Sequence, residues 1–188
     1  SLNPKDATAI ANLSTVLRRQ RKVADAEVVQ REALEREVEP AAVRRHLGDT
    51  LYEQGRYPEA GAAYREALGL APNDAKTRRG LGLALERSGR LTEAAGAYRD
   101  AIRLRPDDPA LRERLGVVLR RRHRDGEAAS AFRDMVRLNP DDARAYQHLA
   151  VTLERLGRYD DALAAFREAL RLRPTYLHAY IGLAATLR

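Results

Sequence analysis

The sequence predicts an all-α protein built from repeated pairs of antiparallel helices, stacked as a solenoid. Four prolines spaced 34 residues apart mark the repeat: Pro72, Pro106, Pro140 and Pro174. Within each interval, apolar and small residues recur twice at the three- and four-residue spacing of amphipathic helices. A unit of this size cannot bury its apolar face alone, so we expect each pair to stack on its neighbours.

The proline interval divides the chain into five full blocks and a partial one. Repeats 1 to 5 are predicted at residues 7–40, 41–74, 75–108, 109–142 and 143–176. Residues 1–6 are predicted to be the remnant of a preceding repeat. Residues 177–188 are predicted to be the lone first helix of a sixth repeat, either a cap or a truncated pair. We therefore expect the chain to be an excerpt of a longer array.

Each block carries the same small and bulky residues at the same positions. Leucine recurs at block positions 7 and 11, and position 8 is always small: Ser14, Gly48, Gly82, Gly116, Ala150 and Ala184. Position 20 is alanine, and position 24 is aromatic in all blocks except the first, which has Gln30: Tyr64, Tyr98, Phe132 and Phe166. Small residues let two helices approach closely, while the rings fill the space around them.

Glycine, proline and aspartate mark the ends of the helices. Glycine at block position 15 favours the left-handed conformation that ends a helix, and it is found at Gly55, Gly89 and Gly157. Proline at position 32 ends the second helix. An acidic residue then offers a side-chain acceptor to the next helix: Asp74, Asp108 and Asp142.

These residues resemble the tetratricopeptide repeat family over nearly the whole chain. Block 2 carries the pattern most fully, with Leu47, Gly48, Leu51, Ala60, Tyr64, Ala67 and Pro72. The resemblance implies a right-handed superhelix whose first helices line a concave surface, and a non-enzymatic scaffold for protein binding. The chain departs from the pattern in block 1, at Gln30 and Val38. It also departs at position 4, commonly aromatic in the family, which is Arg44, Arg78 and Arg112 here.

The positive charge of the chain concentrates at the positions that this resemblance places on the concave surface. The chain has 34 Lys and Arg against 27 Asp and Glu, a net charge of +7. Block positions 2, 5, 6, 9, 12 and 13 hold twelve cations and five anions, so their excess equals the whole net charge. A wall of one sign attracts a ligand of the opposite sign. We therefore predict a basic groove that binds an acidic peptide or protein segment. The alternative is a solvated arginine-rich face whose stems cover aliphatic neighbours.

Seven residues at these positions are the predicted ligand contacts. The electrostatic contacts are Arg45, Lys76, Arg79, Arg114 and Arg144. His148 is predicted to join Arg79, Arg114 and Arg144 in a basic cradle, and Tyr52 to be a packing contact. One subclass of the family holds a C-terminal carboxylate with a set of Lys, Asn and Arg that this sequence does not supply. We therefore predict a looser acidic-peptide cradle, in which guanidinium groups bind carboxylates bidentately.

Two other functions stay open on the sequence alone. Binding to the phosphate backbone of nucleic acid ranks second, because Tyr52 is the only Phe, Tyr or Trp residue at the groove positions. Single-strand binders stack bases on several aromatic rings. The third is self-assembly through the apolar last helix, or a regulatory array within a larger protein.

No catalytic, metal or cofactor site is predicted. The chain has no cysteine, and its four histidines are dispersed: His46, His123, His148 and His178. Neighbouring aspartates such as Asp160 and Asp161 fall at helix starts, where the helix dipole explains them better than acid–base chemistry. An enzyme domain elsewhere in a longer parent chain is compatible with this sequence. No apolar run is long enough to span a bilayer, and a bacterial cytoplasm is the default location that we expect.

Overall fold

The computed structural model describes residues 7–35 and 40–187, and it confirms the all-α architecture of helix pairs. Within those residues the elements are α1 (Ala7–Arg19), α2 (Val23–Glu35), α3 (Pro40–Glu53), α4 (Tyr57–Leu70), α5 (Ala75–Arg87), α6 (Leu91–Leu104), α7 (Pro109–Arg121), α8 (Asp125–Leu138), α9 (Ala143–Arg155), α10 (Tyr159–Leu172) and α11 (Leu177–Thr186). The remnant predicted at residues 1–6 lies outside the described residues, as does Val38. None of the helices described is both long and apolar enough to cross a membrane.

The chain folds as two compact units, Ser1–Leu104 and Arg105–Arg188. In unit 1, α1 pairs with α2, α3 with α4 and α5 with α6, and the pairs stack through α2 on α3 and α4 on α5. In unit 2, α7 pairs with α8 and α9 with α10, and α11 packs on α10 and α9. Each unit therefore shows the stacking that the repeat predicts.

A single aromatic ring from each second helix occupies the core of repeats 2 to 5. Tyr98 and Phe132 are fully buried, and each lies against a glycine of its own repeat. A Cβ atom built on Gly82 would lie 2.6 Å from Cε1 of Tyr98, and one on Gly116 would lie 2.6 Å from Cζ of Phe132. The small residue predicted at position 8 therefore has two roles: it makes room for the aromatic ring and it lets the two helices approach closely.

The first repeat replaces this ring with buried polar groups. Gln30 is fully buried, and neither its Oε1 nor its Nε2 has a hydrogen-bond partner among the described residues. Ser14 Oγ of the same repeat, and His46 Nδ1 and Thr50 Oγ1 of the adjoining repeat 2, are also buried without a hydrogen-bond partner among those residues. Each such group costs about 1–3 kcal/mol. The second helix of this repeat nevertheless forms, so the departure at position 24 weakens the repeat without preventing its fold.

A left-handed residue ends the first helix of every pair at block position 15. The backbone angle φ is +78° at Gly55, +77° at Gly89 and +72° at Gly157, as the glycine pattern predicts. Arg21 and His123 occupy the same block position and adopt φ of 60° and 56°. The turn therefore imposes this conformation whatever the residue.

Replacing Arg21 or His123 with glycine is expected to stabilise the protein. A side chain in the left-handed region costs about 1–2 kcal/mol, part of which glycine returns through its greater freedom when unfolded. We expect a gain of about 0.5–1 kcal/mol per site in urea unfolding. Arg122, beside His123, has φ of −91°, so the control Arg122→Gly should destabilise instead. A loss of stability in Arg21→Gly would show that the turn carries no strain.

Aspartate caps the first helices of repeats 3 to 5, as the sequence predicts. The capping bonds run from the backbone N–H of Lys76 to Asp74 at 2.9 Å, of Ala110 to Asp108 at 3.0 Å and of Arg144 to Asp142 at 2.9 Å. Asp160 and Asp161 lie in the first turn of α10, where their charge complements the helix dipole.

Two of the three arginines at position 4 join adjacent repeats in place of the family's aromatic residue, whereas Arg44 pairs with Glu66 of its own repeat. Arg78 donates from Nη2 to the carbonyl oxygen of Pro72 at 2.6 Å, and its Nη1 lies 2.9 Å from Oδ2 of Asp100. In unit 2, Arg112 donates to the carbonyl oxygen of Pro106. These bonds tie a first helix to the proline turn that follows the preceding second helix.

The last helix exposes an apolar face in unit 2. Its exposed side chains are Leu177, Tyr180, Ile181 and Leu187, whereas Ala179 is fully buried. The apolar surface that the sequence predicts for this helix is thus open to solvent in the structure.

Candidate functional site

A cavity in unit 1, which we call the basic cavity, brings together four of the seven predicted contact residues. It has a volume of about 160 Å³ and is lined by Arg45, Tyr52, Lys76 and Arg79. The remaining lining residues are Arg18, Asp49, Glu53, Tyr64, Gly80 and Leu83. First helices of three successive repeats therefore supply most of the wall, and one second helix supplies Tyr64.

Glycine at position 6 of repeat 3 lets the ring of Tyr64 lie directly against the backbone of α5. A Cβ atom on Gly80 would lie 2.6 Å from Cζ of Tyr64. In unit 2 the same block position is His148 in repeat 5, whose imidazole stacks on Phe132 with ring centroids 5.0 Å apart and planes 11° from parallel. It is Gly182 in the partial repeat that follows, which lies against Phe166. Gly80 thus leaves the ring of Tyr64 without the stacked imidazole that covers Phe132.

Tyr64 brings to this cavity a hydroxyl group that the sequence pattern assigns to the core alone. The hydroxyl donates to Oδ1 of Asp49 at 2.7 Å. Burial, followed by the charge of Asp49, raises the pKa of Tyr64 well above its usual value. The group stays a neutral donor and fixes the Asp49 carboxylate. Tyrosine rather than phenylalanine at position 24, with an aspartate at position 9 of the same repeat, was the signal in the sequence.

Acidic residues in the wall balance two of its four cations. Arg18 lies 2.5 Å from Oε1 of Glu53 and 3.4 Å from Oδ2 of Asp49. Arg45 lies 3.5 Å from the same oxygen of Asp49 and 3.7 Å from Oδ2 of Asp74. The Arg18 pairs join repeats 1 and 2, and the Arg45 pairs lie within repeat 2. Arg18 and Arg45 are therefore held in place and their charge is largely compensated.

The uncompensated positive charge lies on Lys76 and Arg79. Both residues are exposed, and neither side chain has an ion-pair partner among residues 7–35 and 40–187. They are three residues apart on α5, so they lie on the same side of the helix. An anion entering the basic cavity would meet these two side chains without first breaking an ion pair.

His46 adds no charge to this surface at neutral pH. Burial, followed by the nearby Arg45, lowers the pKa of His46 to about 4. Nη2 of Arg45 lies 3.0 Å from its Nε2, which therefore accepts a hydrogen bond from the guanidinium. The imidazole is a neutral acceptor that orients Arg45.

The other three predicted contacts lie in unit 2. Arg114 is exposed on α7. Arg144 lies 3.9 Å from Oε2 of Glu113 and 3.7 Å from Oδ1 of Asp142, and Nε2 of His148 lies 3.5 Å from Oε1 of Glu113. Burial, followed by Arg120, lowers the pKa of His148. The predicted cradle has members in both units, and it stays a prediction.

The side chains at these sites can contact a ligand through hydrogen bonds and electrostatic attraction. Among the described residues, no group of three or more His, Asp or Glu side chains is arranged to hold a metal ion. The donors at the basic cavity are the Lys76 ammonium and the Arg79 guanidinium, and both are suited to carboxylate or phosphate oxygens.

Models of the tetratricopeptide repeat match the sequence along most of its length. One matches residues 79–143 and 113–176, a second matches 39–107, and a third matches 7–36. No curated protein matches the sequence significantly. The repeats identified from the proline interval are therefore those of a known family.

Solved structures of similar fold extend over nearly the whole chain. YrrB, a TPR protein with an unusual peptide-binding site, is 22% identical with a TM-score of 0.83, covering 95% of this chain and 92% of its own. MamA from Desulfovibrio magneticus RS-1 is 20% identical with a TM-score of 0.82, covering 94% and 99%. The thermophilic TPR protein TTC0263 from Thermus thermophilus is 20% identical with a TM-score of 0.62, covering 97% and 99%. At these identities the likeness concerns the fold.

Proposed function

Because this chain belongs to the tetratricopeptide repeat family, whose fold serves as a protein-interaction module, we propose that it binds an acidic peptide or protein segment at the basic cavity, without catalysis. The observation that carries the proposal is the pair of uncompensated cations, Lys76 and Arg79, beside a cavity whose other charges are paired. A carboxylate placed there gains two charged donors and displaces no internal ion pair.

Tyr52 supplies a rigid apolar contact next to these cations. Its ring packs edge-on against Tyr57 with centroids 5.3 Å apart, and Tyr57 is in turn covered by the guanidinium of Arg87 at 4.9 Å from its ring centroid. A ring fixed on one side offers its other side to a ligand at little cost in side-chain entropy. The likeness to YrrB, itself a peptide-binding TPR protein, supports a peptide as the ligand.

The test is a charge-neutralising pair of substitutions. We expect Lys76→Gln/Arg79→Gln to weaken binding of Asp- and Glu-rich decapeptides about 10- to 100-fold. Each of these exposed side chains should contribute between the ~0.2–1 kcal/mol of an exposed ion pair and the ~1.5–3 kcal/mol of a hydrogen bond to a charged group. Fluorescence anisotropy of a labelled peptide library, at low and at physiological salt, measures this loss. Most of it should lie in the association rate and shrink as salt screens the charges.

The matched control removes two arginines that ion pairs already compensate. Arg90 lies 2.6 Å from Glu93, and Arg103 lies 2.6 Å from Asp100. Arg90→Gln/Arg103→Gln changes the net charge equally and should leave peptide affinity within about twofold. Equal losses of peptide affinity in both variants would show that only the net charge of the protein matters, and would contradict the proposal. Tighter binding of single-stranded DNA than of every acidic peptide, with a steep salt dependence, would contradict it in favour of nucleic acid.

A further inference from the structure

A second cavity in unit 1 adjoins the basic cavity, and Arg45 lines both. It has a volume of about 620 Å³ and lies between the start of α3, the end of α4 and the start of α5. We call it the alanine cavity, and its lining is Ala41, Ala42, Arg45, Ala67, Leu70, Ala71, Asp74 and Thr77. Four of these eight residues are alanines, and Leu70 adds a fifth apolar side chain.

The short side chain of Ala67 leaves this space open. Block position 27 is Met135 in repeat 4, where the longer side chain is buried with 1% exposure, and alanine in the other repeats. At the rim, Leu70 is 54% exposed, against 37% for Leu104 at the same block position of repeat 3. The alanine cavity therefore offers apolar surface that this unit does not itself cover.

The one acidic residue of the alanine cavity is fully engaged. Oδ1 of Asp74 accepts from the backbone N–H of Lys76 at 2.9 Å, and its Oδ2 accepts from the Thr77 hydroxyl at 2.6 Å. Although burial acts to raise it, these bonds and the charge of Arg45 hold the pKa of Asp74 below its usual value. The carboxylate is thus ionised and compensated, and it does not repel an acidic ligand from the boundary between the two cavities.

We propose that the alanine cavity binds an apolar side chain of the same acidic segment. The ligand is then a peptide in which a residue of the size of leucine or methionine stands near a carboxylate. The inference rests on the proposed function, because the uncompensated charge of Lys76 and Arg79 in the adjoining basic cavity selects an anionic peptide over a neutral one. The apolar side chain then supplies specificity that charge alone does not.

The test uses paired decapeptides that carry the same acidic residues and differ only by leucine or alanine at one scanned position. We expect the best leucine peptide to bind the wild type about tenfold more tightly than its alanine twin. Ala67→Met should reduce this ratio to near one while leaving the affinity of the alanine twin unchanged. Lys76→Gln/Arg79→Gln should weaken both peptides and preserve the ratio.

The outcomes separate the two proposals. Equal affinities of every leucine peptide and its alanine twin for the wild type would overturn the alanine cavity and leave acidic-peptide binding standing. A ratio that survives both Ala67→Met and Leu70→Ser would also overturn it, because the leucine would then bind elsewhere. Leu70→Ser changes an exposed residue, so it decides the question if Ala67→Met fails to fold. Absence of binding by every acidic peptide would overturn both proposals.

Discussion

Replacing Phe132 with alanine is expected to lower the free energy of unfolding by about 3–5 kcal/mol, as for other fully buried rings. The ring is 0% exposed and packs between Gly116 of its own repeat and the imidazole of His148 in the next. Its removal leaves a cavity that both helix pairs of unit 2 share. Urea unfolding followed by circular dichroism measures the loss. Hydrogen exchange of amides in α7 and α8 locates it, because helical repeats also open locally.

The ring of Phe132 should also decide whether Gly116→Ala destabilises or stabilises the protein. In the wild type, Gly116→Ala places a Cβ atom about where the ring stands, since the built atom is 2.6 Å from Cζ of Phe132. We expect a cost of about 1–3 kcal/mol from this overpacking. In the Phe132→Ala background that clash is gone, and alanine should instead stabilise the helix by about 0.5–1 kcal/mol. If the losses in the free energy of unfolding add in Phe132→Ala/Gly116→Ala, the space that Gly116 provides is not occupied by the ring of Phe132.

Introducing the pair of glycine and phenylalanine at the same block positions of the first repeat is expected to stabilise the protein by about 2–3 kcal/mol. The variant is Ser14→Gly/Gln30→Phe, which reproduces at α1 and α2 the register of Gly116 and Phe132. It removes two side chains whose buried polar atoms lack partners. It also buries a ring that contributes about 1.5–3 kcal/mol. His46 occupies the block position of His148, so we expect its imidazole to stack on the new ring.

The single substitution Gln30→Phe is the control for this register. Because a Cβ atom at Gly116 would lie 2.6 Å from the ring of Phe132, the side chain of Ser14 should obstruct a ring at position 30. We expect the single variant to gain nothing or to lose about 1–3 kcal/mol, and the pair to gain. Thermal unfolding of the four variants in this cycle measures both effects. A stabilised Gln30→Phe with Ser14 retained would show that the first repeat packs differently from the fourth.

The sequence pattern predicts the structural features that are determined within a single helix or turn. Leucine and alanine spacing indicated the helix pairs, Gly55 and its equivalents indicated the turns, and Asp74, Asp108 and Asp142 act as the caps that their position suggested. These features follow from local backbone geometry. Arg21 and His123 show the limit of such reasoning, because their left-handed conformation is imposed by the repeat and contradicts their own preference.

The candidate site depends on distances between repeats, which the sequence does not contain. Counting charges treats Arg18, Arg45, Lys76 and Arg79 alike, whereas the structure compensates the first two with acidic residues and leaves the last two exposed. The sequence likewise did not predict the role of the Tyr64 hydroxyl, because the family pattern at position 24 requires only an aromatic ring. The roles of the seven predicted contacts in binding stay predictions.

Binding of a ligand at Lys76 and Arg79, beside Tyr64, can be located by an NMR titration of the ¹⁵N-labelled protein with the tightest acidic decapeptide, because every backbone amide reports separately. We expect the largest shift changes on α5 between Lys76 and Leu83 and on Tyr52 and Tyr64. Lys76→Gln/Arg79→Gln should require about 10- to 100-fold more peptide to produce them. Shift changes concentrated instead on α11, with the residues of the basic cavity unaffected, would show that the peptide binds elsewhere.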